Sequence, residues 1–97
     1  MTKKELLKNL KEGQKNYSIL ELLWDNKKAV VPYKVVIASC LKNPIKRGLL
    51  NNPDIFEDER RKVEHIINRL NMDLKKRGFR IRNNRRLRGF VLRDFAN

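Results

Sequence analysis

A chain with one cysteine cannot close an internal disulfide, and Cys40 is the only one here. Its place in the apolar run VVIASCL, residues 35–41, reads as a small buried hydrophobe in a reducing cytoplasm. That run is also the longest apolar stretch, far short of the ~20 residues a membrane span requires. The N-terminal residues are broken by charge, so neither a membrane anchor nor a secretory leader is expected. Histidine is equally scarce. His65 stands alone, and with Cys40 it provides no nucleophile–base pair and no zinc-ligand set, so neither an enzyme nor a metal or other cofactor is expected. The last shortage is of acids: 11 Asp and Glu stand against 24 Lys and Arg, a formal charge of +13 with a pI near 10.4. Such a chain attracts polyanions, whether nucleic acid or anionic membrane. Residues 58–97 are the more basic part, with thirteen Lys/Arg against five acids, compared with eleven against six in residues 1–57.

With no repeat, low-complexity segment or Gly/Ser-rich linker, residues 1–97 read as a single domain: an N-terminal extension over 1–16, a core over 17–92 and a tail over 93–97. Leu6, Leu7 and Leu10 give residues 3–12 one apolar side, and Gly13 is a C-terminal stop, which predicts a short packing helix. In YSILELLWDN, Ser18 precedes Glu21 by three residues as in a capping box, so a second helix is expected to open there with a staple of Tyr17 on Leu22. AVVP then reads as extended, and Pro32 leads into a third helix over 33–41, apolar nearly all round and expected to be buried. Pro44, Gly48, Asn51, Asn52 and Pro53 predict an irregular loop over 42–57.

A long helix is predicted over 59–77, with Asp58 and Glu59 at the positive end of its dipole, Lys75, Lys76 and Arg77 at the negative end, and Gly78 as its stop. Val63, Ile66, Ile67, Leu70 and Leu74 share one arc at 100° per residue, which turns Arg61, His65, Asn68 and Met72 outward. Beyond Gly78, Phe79 and Ile81 alternate with Arg80 and Arg82, Asn83-Asn84 can turn, and Phe90 and Leu92 alternate on the return. The arginine-rich stretch RIRNNRRLRGF is therefore expected to be a hairpin over 79–92 with a basic outer face and tip, not a disordered tail.

The order of these elements, mainly α with a small β-hairpin, is that of a winged helix-turn-helix with an N-terminal helix, a three-helix core and a C-terminal wing. VEHIINRLNMDLKKRGFRIRNNRRLRGFVL resembles the DNA-binding domain of OmpR/PhoB-type response regulators. Val63, Glu64, Ile66, Ile67, Arg69, Leu70 and Leu74 stand at that family's helix positions, and Gly89, Phe90 and Leu92 at the close of its hairpin. YSILELLWDNKKAVVP is similar to the family's first helix and extended link. The chain departs from the pattern where Pro32 replaces a capping serine and Leu87 a wing-tip glycine, and none of residues 1–97 is expected to form a receiver domain. The resemblance implies that helix 59–77 enters the major groove of duplex DNA while the wing touches backbone or minor groove.

Residue chemistry supports the same assignment independently. Arginine and asparagine make paired hydrogen bonds to guanine and adenine edges, which makes Arg61 and Asn68, with His65 between them, the base-reading candidates. Lys62, Arg69, Lys75 and Lys76 on the helix suit phosphates, and Arg82, Arg85, Arg86 and Arg88 suit phosphates or a narrow minor groove. The expected function is a cytoplasmic transcriptional regulator that binds double-stranded DNA, nucleoid-associated if the source is bacterial, with homodimerisation on DNA as an option and no membrane partner. RNA binding is the rival reading, weakened because Phe79, Phe90 and Trp24 all read as core while RNA recognition needs exposed rings. A third reading is a protein-interaction winged helix whose 42–57 loop contacts transcription machinery such as RNA polymerase.

Overall fold

A computed structural model of the chain describes residues 1–95. Helix α1, Lys3–Leu7, opens on Thr2, whose hydroxyl accepts from the Glu5 amide at 3.2 Å, and buries Leu6 and Leu7. It ends earlier than the 3–12 pattern predicts. Arg77 donates to the Leu6 and Glu5 carbonyls at 3.0 and 3.2 Å, and the Leu10 amide turns to the Leu7 carbonyl instead. A distant guanidinium thus takes the acceptors that a longer helix would use.

Helix α2, Lys15–Asp25, begins one turn before Ser18, which corrects the capping-box reading. The Ser18 amide bonds the Gln14 carbonyl at 3.1 Å, inside the helix, and the early start half-buries Tyr17 against the core. Ile19, Leu20 and Leu23 supply its buried face. Strand β1, Val31–Pro32, follows and leads directly into helix α3, Tyr33–Cys40. Tyr33, Val36 and Ile37 are buried, but Val35 is exposed, so α3 is amphipathic and not covered on all sides.

The 42–57 segment is mostly helical, contrary to the loop expected. Helix α4, Pro44–Gly48, is capped by Asn43, whose side chain accepts from the Ile45 amide at 2.9 Å, and a 3₁₀ turn, Leu49–Asn51, buries Leu50. Helix α5, Pro53–Leu74, then starts at Pro53, not at residue 59. Asn52 caps it by accepting from the Asp54 and Ile55 amides at 3.0 and 3.4 Å. Each Asn-Pro pair therefore places a capping side chain before a proline at the first helical position, where its missing N–H costs nothing. Val63, Ile67, Leu70 and Leu74 are buried as the periodicity predicts, with Ile66 packed against the core. A 3₁₀ turn, Lys75–Arg77, ends at Gly78 with φ +84°, a left-handed stop that suits glycine.

Strands β2, Phe79–Asn84, and β3, Gly89–Asp94, form the expected hairpin, and β1 joins the other side of β3 to give an antiparallel sheet ordered β1-β3-β2. The turn is displaced from Asn83-Asn84 to residues 85–88, because Asn84 pairs with Gly89 as the last rung of the ladder. The Asn84 side chain accepts from the Leu87 amide at 3.0 Å, and Arg88 takes the positive φ, +52°. Arg93 and Asp94, read as tail, complete β3; residues 96–97 of that tail lie outside the described residues. Asn71 of α5 accepts from the Ile81 amide at 2.8 Å and donates to its carbonyl at 2.9 Å, which satisfies Ile81 on the outer edge of β2. Phe79, Ile81, Phe90 and Leu92 enter one core with the buried faces of α1, α2, α3 and α5. The protein is thus mainly helical with a small three-stranded antiparallel sheet.

Candidate nucleic-acid interface

Because α5 buries the arc containing Val63, Ile67, Leu70 and Leu74, its opposite face stands in solvent. Arg61, His65, Asn68 and Met72 are all exposed there, Met72 by 75% of its surface. Arg61 to Asn68 spans ~10 Å of axis at ~1.5 Å per residue. That length fits within the ~12 Å width of a major groove. Arg69 and Lys76 flank the same face, while Lys75 points its ammonium over the Phe95 ring at 5.8 Å.

The first turns of α5 are acidic, and their charges are matched internally. Lys62 Nζ lies 3.3 Å from both Asp58 Oδ2 and Glu59 Oε1, and the Asp58 hydrogen bond foremost holds its ammonium above the ordinary lysine value. Lys62, expected on phosphate, is therefore engaged in neutralising the helix start. Only Asp54 of the acids lies in the first turn, so the dipole account of Asp58 and Glu59 gives way to pairing with Lys62. Arg60 Nη2 meets Glu57 Oε2 at 2.7 Å, and Arg60 Nη1 bonds Glu64. The Arg60 hydrogen bond is the main reason that the Glu57 carboxyl is held below the usual range, with Arg61 and Arg88 adding smaller effects. Among the described residues, no three His, Cys, Asp or Glu side chains are grouped to hold a metal ion.

Glu57 thus senses both the helix face and the hairpin tip, and the two surfaces meet beside it. Asn83 donates from Nδ2 to Glu64 Oε1 at 3.1 Å and accepts from the Tyr33 hydroxyl. The Arg60 and Arg88 guanidinium groups stand 5.9 and 5.8 Å from the Tyr33 ring centre. This junction of α3, α5 and β2 fixes the hairpin against the start of the helix. Arg85 and Arg86 lie at the exposed tip, with Leu87 62% exposed between them and Arg88.

Arg82 lies on the outer sheet face, where the structure adds Arg80 and Arg93, directly opposite each other across β2 and β3. Like charges so placed repel, and among the described residues neither side chain has a carboxylate partner. Continuing the Phe90, Leu92 alternation by one residue would have put Arg93 on this face. The Tyr33–Asn83–Glu64–Arg60 junction had no such local signal. The predicted residues accordingly form one helix face, Arg61 to Met72, and one hairpin tip, 85–88, that adjoin. Lys75 and Lys76 stand apart, ~20 Å along the axis from Arg61 at ~1.5 Å per residue.

Comparison with protein-family models, curated proteins and solved structures finds no match to this chain. Among the described residues, no helix is long and apolar enough to cross a membrane.

Proposed function

We propose that the protein binds duplex DNA as a transcriptional regulator of winged helix-turn-helix type, with α5 in the major groove and the basic hairpin as the wing. The observation that carries this reading is the adjacency of the exposed Arg61–His65–Asn68–Met72 face to the arginine tip, both set on elements locked together at Glu64 and Asn83. Arg61 and Asn68 have the donor geometry for guanine and adenine, and an exposed Met72 offers an apolar surface to a thymine methyl group. Arg82, Arg85, Arg86 and Arg88 suit the phosphates or minor groove beside the helix, and Arg80 and Arg93 extend that surface. The strand between α2 and α3 that joins the hairpin supports the winged-helix comparison, as does the OmpR/PhoB-like pattern in residues 63–92. Against RNA, the rings of Tyr33, Phe79 and Phe90 are buried and those of Trp24 and Phe56 pack on the core, which leaves Phe95, at 43%, as the exposed Phe, Tyr or Trp ring among the described residues.

A second role rests on α4 and the turn after it, where Ile45 and Leu49 lie one helical turn apart and are 75% and 47% exposed. That surface supports contact with a protein of the transcription machinery, RNA polymerase included. The test of DNA reading is selection of bound duplexes from a random pool, run beside a pool of single-stranded RNA. An enriched duplex motif is expected. Uniform recovery of duplexes, or preferential recovery of RNA, would overturn sequence-specific DNA recognition. Sedimentation of the complex on an enriched duplex distinguishes one bound copy from the homodimer.

A further inference from the structure

A groove lies on the flank of α5 away from Arg61, between the turn joining α1 to α2, the end of α3 and α4. Its volume is about 890 Å³, within the ~300–1,000 Å³ range of small-ligand sites. The floor is apolar, with Leu10 and Ile66 half-buried where they line it. The rim is cationic: Lys15, Lys42, Lys46 and Arg69 surround the opening. Lys42 reaches across it, since a Cβ added to Gly13 on the facing turn would stand 3.2 Å from Lys42 Nζ. The acid among the lining residues, Asp73, is bound to Arg77 at 3.2 Å, and Arg77 is held in turn by the carbonyls of α1. Among the described residues the four rim cations have no carboxylate partner.

We propose that this groove binds a free single-chain amphipathic carboxylate, of the fatty-acid class, with its aliphatic chain along the Leu10–Ile66 floor and its carboxylate on the Lys42 and Arg69 rim. A neutral apolar ligand would leave four clustered cations mutually repelling, and a simple anion would leave the floor wet. An amphiphilic anion satisfies both parts. Chain burial sets its affinity, at about fourfold per methylene removed from water, and the cations set the selectivity for a negative head.

The measurement is calorimetric titration of the full chain, without DNA, with dodecanoate below its critical micelle concentration. Octanoate, dodecanol and dodecyltrimethylammonium are the comparisons. Saturable one-to-one binding of dodecanoate is expected, at least tenfold tighter than of octanoate or of either uncharged or cationic analogue. Iodoacetamide should alkylate Cys40, which lines the groove, at least fivefold more slowly once dodecanoate saturates it. The double variant Lys42→Gln, Arg69→Gln should bind dodecanoate at least tenfold more weakly while melting like the parent. Lys46→Glu, on an exposed side chain, serves the same purpose if the double variant melts early. Absence of saturable binding, equal binding of the cationic analogue, or variants that bind like the parent would overturn the proposal. So would binding of an acidic amphipathic peptide, or of anionic vesicles, in place of free dodecanoate. Since no DNA is present, none of these outcomes bears on the duplex-binding reading.

Discussion

Base recognition by the proposed DNA-binding surface depends on Arg61 and Asn68, about two turns apart on the exposed face of α5. Each can make two hydrogen bonds to one base edge, so Arg61→Ala or Asn68→Ala should cost on the order of 1–3 kcal/mol on the preferred duplex and relax the preference at one position. Titrations on preferred and scrambled duplexes check this, and equal losses on both would move the residue to the backbone. Two glycines make a separate test of the fold. A Cβ at Gly89 would collide with the Val31 carbonyl and stand 2.7 Å from Val30 Cγ1, where β3 pairs with β1. Gly89→Ala should therefore destabilise by roughly 1–3 kcal/mol, as overpacking does. Gly48 has nothing within 4 Å of an added Cβ and takes a helical conformation, so Gly48→Ala should stabilise by about 0.4–1 kcal/mol. Urea melts that rank the two in the opposite order would contradict the packing described at β1.

Among the elements, the hairpin separates binding from stability. Arg85 and Arg86 stand at its exposed tip, so Arg85→Ala with Arg86→Ala should weaken binding to every duplex and leave the melt unchanged. Phe90, 1% exposed, joins β3 to the core and stacks at a tilt with Tyr33, 5.0 Å between ring centres, so Phe90→Ala should cost ~3–5 kcal/mol. A Phe90→Ala protein that melts like the parent would refute that burial. The junction between hairpin and helix carries a pH signature. The Arg60 hydrogen bond lowers the folded-state pKa of Glu57, so its contribution is present above its unfolded value of ~4.3 and fades as pH falls through the lower folded value. Glu57→Gln should flatten the acid limb of stability against pH; an unchanged limb in urea melts between pH 2 and 6 would remove Glu57 from it. The strands of the hairpin were legible because Phe79, Ile81, Phe90 and Leu92 are spaced for one face, and the inner arc of α5 because Val63, Ile67, Leu70 and Leu74 recur with its period. The start of α5 was not, since Asn52-Pro53 serves equally as turn and as cap. Nor could local pattern reveal Arg77 stopping α1 or Tyr33 holding Asn83, which join residues far apart in the chain. The Arg61 face followed from helix period alone, whereas the placing of the hairpin beside the start of α5 depended on Glu64 meeting Asn83.

For the molecule as a whole, a formal charge of +13 predicts attraction to DNA but not how much of that charge meets phosphate. Five of the 24 cations are paired with carboxylates among the described residues: Lys62 with Asp58 and Glu59, Arg60 with Glu57 and Glu64, Lys3 with Glu21 and Asp25, Arg77 with Asp73, and Lys27 with Asp94. Lys42 and Lys46 face the groove on the other side of α5. Arg69 faces that groove as well, so the cations that remain for phosphate are Lys75 and Lys76 on the helix side and Arg80, Arg82, Arg85, Arg86, Arg88 and Arg93 on the hairpin. If all of them release a condensed counterion, log K should fall with log salt at a slope of about −7, at ~0.9 per phosphate contact. That is far below the slope that the whole positive charge would produce. Alanine at Arg85 should reduce the slope by ~0.9, because it removes one contact, whereas alanine at Lys62 should leave it nearly unchanged, because that ammonium is already paired. Titrations between 50 and 300 mM salt on the parent and the two variants distinguish these cases. A parent slope near zero would remove the phosphate contacts altogether, and a loss at Lys62 equal to that at Arg85 would mean that DNA draws Lys62 away from Asp58 and Glu59.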